Sequence, residues 1–120
     1  MANPLVDDWL GYHAAGCKAT DSRFSAWQDV DDLVHRDPEA GWALILELIA
    51  AASDDRLLAN VAAGPLEDLL VRAPEQFIER VELEARRDPK FRRCLTGVWG
   101  LSTSIQDRVA KYTSTVPDPL

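Results

Sequence analysis

From Trp42 to Ala52 the chain has almost no polar face. Trp42, Leu44, Ile45, Leu46, Leu48 and Ile49 lead into three consecutive alanines, and Glu47 is the one charge in the run. Asp37 followed by Pro38 supplies a helix N-cap and a first-turn proline, so the run reads as helix. A helix that is apolar all round has to be enclosed by neighbours. Its eleven residues are far fewer than the roughly 20 needed to span a bilayer. This one segment therefore predicts a central helix wrapped by others.

The rest of the chain supplies those others. Asn3 and Pro4 start a first helix with Val6, Trp9, Leu10, Ala14 and Cys17 at helical spacing, and Gly16 weakens its end. A second begins near Ser22, with Trp27, Val30, Leu33 and Val34 inward and Asp29, Asp32 and Arg36 outward. Ser53, Asp54 and Asp55 restart the chain after the central helix, and Gly64–Pro65 reads as a break that sets Leu66, Leu69 and Leu70 on a new axis. Glu67 and Asp68 then read as acids favouring a helix N-terminus. Pro74 and Asp88–Pro89 begin two more helices, and Thr103 with Gln106 has the pattern of a capping box for the last. No segment alternates polar and apolar residues as a strand does.

The predicted fold is all-α, with six or seven helices in antiparallel hairpins, as a short HEAT-like stack or an irregular bundle. Residues 1–116 form one domain and residues 117–120, with Pro117 and Pro119, a frayed tail. The stack is suggested by an internal echo: Asp32–Glu39 matches Asp68–Glu75 at five of eight positions, 36 residues apart, within the range of two-helix repeats.

Charge is unevenly placed along the 120 residues. The net charge is −7, yet residues 1–55 hold eleven acids against three bases, a net of −8. The remainder is balanced and carries a basic knot, Arg86, Arg87, Lys90, Arg92 and Arg93, around Phe91. Net acidity resists phosphate approach and disfavours a nucleic-acid coat. The knot is the feature on which a nucleic-acid-associated alternative rests. Its plainer reading is charge opposing a helix C-terminus and pairing with Glu79, Glu82 and Glu84, with Phe91 in the core. Two cysteines and no basic, apolar leader point to a reducing cytoplasm.

Catalytic machinery is not visible in the motifs. His13 and His35 lie in no metalloprotease or nucleophile-elbow pattern, and no glycine-rich phosphate loop is present. His13 and Cys17, four residues apart, could share a helix face and, with His35 and Cys94, complete a two-Cys, two-His set. The preferred reading is a buried thiol beside a core-edge histidine, because no close-spaced cysteine pair exists. No cofactor or metal is expected. The leading candidates for partner binding are the acids Asp29, Asp31, Asp32, Asp37 and Glu39, with Trp27 and Trp42 as possible anchors. The competing reading makes them a solvated helix face and an N-cap. No calcium loop fits their spacing.

The string AGPLEDLL, followed by FIERVELEARRDPKFRRCLTGVWG, resembles an uncharacterised bacterial family of short helical proteins, a domain of unknown function. WLGYH and WALILELI extend the likeness over roughly residues 9–100. The resemblance implies a small helical cytoplasmic domain and no mechanism. Size and charge together lead to the expectation of a non-catalytic protein-binding module, an immunity- or antitoxin-type inhibitor masking a basic surface. A small metal-binding or enzymatic protein using His13 and Cys17 is the third expectation, and self-association remains open.

Overall fold

The computed structural model describes residues 3–120. Eight α-helices follow one another: α1 (Pro4–Ala14), α2 (Phe24–Arg36), α3 (Pro38–Ala51), α4 (Asp55–Val61), α5 (Glu67–Arg72), α6 (Pro74–Arg87), α7 (Pro89–Leu95) and α8 (Thr103–Thr113). No strand occurs among the described residues. A π turn, Ala62–Leu66, joins α4 to α5 without interruption, so the eight helices make seven rods. The fold is all-α, as the sequence predicts.

Local chemistry sets most helix starts. The Asn3, Asp37, Asp54 and Asp88 side chains accept hydrogen bonds from the amides of Leu5, Ala40, Leu57 and Lys90, each satisfying an otherwise orphaned N–H. Three corners share one design: a single non-helical residue between a helix end and a proline. Asp37 (φ −140°, ψ 81°), Ala73 (φ −133°, ψ 54°) and Asp88 (φ −124°, ψ 106°) occupy it. The residue before proline is pushed out of the α region, and the proline ring then presets the next first turn. Two of these corners are the two copies of the sequence echo.

Helix α3 lies at the centre, with Ile45, Leu48 and Ile49 sealed from solvent. Trp42 stacks on Phe77 of α6 at 5.6 Å between centroids and meets Phe91 of α7 edge-on at 5.8 Å. Gly41 lets α2 cross α3 closely: a Cβ there would lie 3.0 Å from the Val34 Cα. A radius of gyration of 13.7 Å and extents of 40 × 30 × 28 Å match the roughly 14 Å of a compact domain of this length. No elongated solenoid is formed.

Three local expectations change. Gly64–Pro65 does not break the chain. Proline cannot donate to the carbonyl four residues back and its ring crowds that carbonyl. The helix widens there instead, and the Glu67 amide donates to Ala62, five residues back. The Thr103–Gln106 capping box is absent, because Ser102 occupies the cap and its side chain accepts no amide hydrogen bond. The final residues are tied down: the Leu120 amide donates to Thr96 Oγ1 at 2.9 Å, and Arg93 Nε donates to the Asp118 carbonyl at 2.9 Å.

Candidate functional site: an acidic, aromatic-walled cleft

The continuous α4–π–α5 rod determines what Asp68 faces. Because α5 continues the π turn without a break, the Glu67–Asp68 pair does not sit at a free helix N-terminus. Glu67 instead accepts the Trp99 amide at 2.8 Å. Asp68 faces α2, where Asp31 and His35 lie one turn apart. One donor atom from each of Asp31, His35 and Asp68 falls within 4.8 Å of the others. His35 Nδ1 stands 3.6 Å from an Asp31 carboxylate oxygen. Among the described residues Asp68 makes no side-chain hydrogen bond or salt bridge. Partial burial, and then the Asp31 charge, hold its carboxyl above the ordinary aspartate range.

These carboxylates open into a cleft of about 310 Å³ lined by Trp9, His13, Trp27, Asn60, Pro65 and neighbours. The π turn forms one wall and the indoles the other. Trp9 is buried, whereas Trp27, expected to face inward, is 40% exposed and stacks on Phe24 at 5.8 Å. His13 packs on Trp9 at 4.0 Å, and its Nε2 is buried without a partner among the described residues. Burial and the neighbouring Arg56 lower the histidine's affinity for a proton. A wider groove of about 500 Å³ beside Trp99, which is 72% exposed, has no titratable side chain in its lining.

The five acids expected to form one surface are divided among different tasks. Asp37 caps α3. Glu39 is held by Arg80 and by Gln76 Nε2 at 3.1 Å, which pulls its carboxyl below the usual range. Asp32 pairs with Arg36 at 3.1 Å. Asp31 turns into the cleft, and Asp29 is exposed with no side-chain hydrogen bond or salt bridge among the described residues. Of the two expected anchors Trp42 is core, which leaves Trp27 as the exposed indole beside these acids.

The basic knot is largely used internally. Arg87 pairs with Glu84 and Arg93 with Asp55 and Asp118, while Arg108 takes Glu82. Lys90 donates to the carbonyls of Ala50 and Ala52 at 3.0 and 2.8 Å, closing the C-terminus of α3. Arg86 reaches back to the Glu82 carbonyl, and Phe91 is fully buried.

A family model described as a family of unknown function, DUF6869, matches residues 15–116. The chain belongs to the DUF6869 family. No curated protein and no solved structure matches it. The family match covers α2 to α8, and with them Asp31, His35, Asp68 and Trp27, whereas Trp9 and His13 precede it.

In this DUF6869 chain the histidines and cysteines do not converge as a four-ligand set. Cys94 is buried against the Leu58 carbonyl at 3.6 Å, and burial pushes its thiol up to about 12. Cys17 contradicts the buried-thiol reading: it lies beyond α1, is exposed, and has the left-handed φ of 60°. Its Sγ still reaches His13 Nδ1 at 3.1 Å. Among the described residues no helix is long and apolar enough to cross a membrane. The convergence of Asp68 on Asp31 escaped the sequence reading. Its one visible signal was an acid on α2 with a histidine a turn later, beside a Gly–Pro step that keeps a helix intact.

Proposed function

We propose that this chain is a non-catalytic protein-binding module of the cytoplasm that docks a basic partner, in the manner of an immunity or antitoxin protein. The Asp31–Asp68 cleft receives a lysine or arginine side chain. One observation supports the reading above all: two carboxylates from different helices converge beside an exposed indole, and no lysine or arginine of the chain pairs with either among the described residues. Closely spaced like charges favour whatever cation separates them, and a tryptophan face adds a cation–π contribution. A planar guanidinium suits the arrangement best, because it can bridge two carboxylates and stack on an indole. The excess negative charge of the first 55 residues steers such a partner inward.

The docking residues are therefore Trp27, Asp31 and Asp68, with Asp29 at the rim. Tetra-arginine amide, titrated at low salt, tests this by tryptophan fluorescence. The expected result is saturable binding that weakens with salt and is lost in the Asp31→Asn/Asp68→Asn double variant. An Asp118→Asn control should bind as the parent does. Equal affinity in the double variant refutes the proposal.

A further inference from the structure

We infer that Asp31, His35 and Asp68 together form a site for a divalent first-row transition-metal ion. The site rests on its own geometry. Its consequence for a protein partner, that a bound ion closes the cleft to a cationic side chain, rests on the reading above.

An arginine pocket has use for two carboxylates and an aromatic wall. It has no use for an imidazole directed at the same point, since a protonated histidine repels the guest. A metal ion does: it takes neutral imidazole and ionised carboxylate together. Asp31 and His35, at i and i+4 on α2, lie on one helix face, and Asp68 meets them from the rod across the cleft. Metal–ligand bonds of roughly 2.0–2.2 Å put neighbouring donors about 3–3.5 Å apart. His35 Nδ1 and Asp31 already stand 3.6 Å apart, and no pair of the three donors exceeds 4.8 Å. Side-chain rotation of little more than an ångström closes the set.

The ligand types select the ion. One nitrogen and two carboxylates suit zinc, manganese, iron(II) or cobalt, whereas calcium and magnesium prefer oxygen alone. Three protein ligands leave positions open toward the cleft, whose lining also includes His13. The paired Asp31–His35 contact alone would be an ordinary helical ion pair. Asp68, which bonds to nothing else among the described residues, turns it into a site.

The test uses the full chain freed of metal with EDTA, then titrated with Co²⁺ and Zn²⁺ by calorimetry and by cobalt ligand-field absorption. One ion per chain is expected. His35→Gln and Asp68→Asn should each weaken binding by at least ~10-fold, the lower bound for disturbing even an outer-shell partner. Both variants are checked for folding by circular dichroism, and Asp118→Asn serves as the surface control. The inference is overturned if the folded parent takes up no stoichiometric ion. It is equally overturned if binding survives in both variants or is lost instead in Cys17→Ser, which would place the ion at the His13–Cys17 pair. A second arm repeats the tetra-arginine titration with the metal-loaded chain, and at least a tenfold loss is expected. Metal binding without peptide binding by the metal-free chain sinks the docking proposal and leaves the metal site standing. Unchanged peptide affinity in the loaded chain sinks only the closure.

Discussion

Replacing Asp68 by asparagine should make the metal-free protein more stable. The carboxylate is half-buried, makes no side-chain hydrogen bond among the described residues, and faces Asp31 with donor atoms no more than 4.8 Å apart. Two unit charges about 5 Å apart repel by roughly 0.8 kcal/mol in a water-like medium, and by roughly 3 kcal/mol at an effective dielectric constant near 20. The cleft is open to solvent and His35 offsets part of the repulsion, so the lower end applies. Relief of about 1 kcal/mol is expected, including the lost cost of desolvating the charge. For 120 residues, an unfolding entropy of about 2 cal/mol/K per residue converts this to a rise in Tm of roughly 4 °C. Scanning calorimetry at pH 7, in EDTA and low salt, measures it. Added sodium chloride should narrow the gap between parent and variant by screening the repulsion. A Tm that is unchanged or lower in low salt would refute the argument, because it would mean that Asp68 makes a stabilising contact. A residue that costs stability and interacts best with an external cation is the expected signature of a binding site.

Other outcomes follow from the same structure. An aromatic disulfide reagent at pH 8 should label Cys17 quickly and Cys94 only on unfolding; two equally fast thiols would contradict the burial of α7. Because burial raises the Cys94 thiol to about 12 in the fold, its contribution to stability is present below the unfolded thiol's pKa near 8.5 and is lost as pH rises toward that folded value. Chemical denaturation of the parent and Cys94→Ala between pH 8 and 11 tests this, and parallel pH profiles would count against it. The Asp21 carboxyl, hydrogen-bonded by the Arg23 side chain and amide, should titrate at about 2 in a carbon-13 NMR experiment. It should move back up in Arg23→Gln, and the stability it supplies is held above the usual aspartate range and lost as pH falls through that midpoint. Lys90→Met removes two donors from the end of α3 and should destabilise by about 1 kcal/mol. A melt no different from that of Lys18→Met would show the contact to be idle.

Helix starts were legible because a cap is a local event. Asn3, Asp37, Asp54 and Asp88 each need only their own next three residues, and the following proline or acidic turn advertises them. The central helix was legible because no other environment tolerates Trp42, Leu44 and Leu48 on different sides of one rod. Gly64–Pro65 was misread because the alternative to a break depends on neighbours: α4 and α5 can stay continuous only while the leucines on both sides remain buried. Trp27 was misread for a related reason. It sits at the edge of the α2 stripe, where the pattern does not say whether another helix covers it. The acidic cluster was read as a run along the chain, although its members diverge around the helix, with Asp29 and Asp32 on the outer side and Asp31 on the flank. Asp68 joins Asp31 only through tertiary structure. The echo between Asp32 and Asp68 pointed to a neighbouring position and could not show that the meeting partner is Asp31.

The π turn has a consequence for which lengths of chain this fold accepts. One turn with a five-residue hydrogen bond amounts to a helix holding one residue more than its neighbours require. Deleting Ala63 or Gly64 would remove that surplus residue and leave Asp68, Leu69 and Leu70 on the faces they now occupy, but would set Pro65 in a plain α-helix, where its ring crowds the carbonyl one turn back. A deletion within Glu67–Arg72, which has no surplus to absorb it, would swing every residue beyond it by about 100° around the axis. Tolerance to a lost residue is therefore confined to the turn itself and ends where the α-helix resumes.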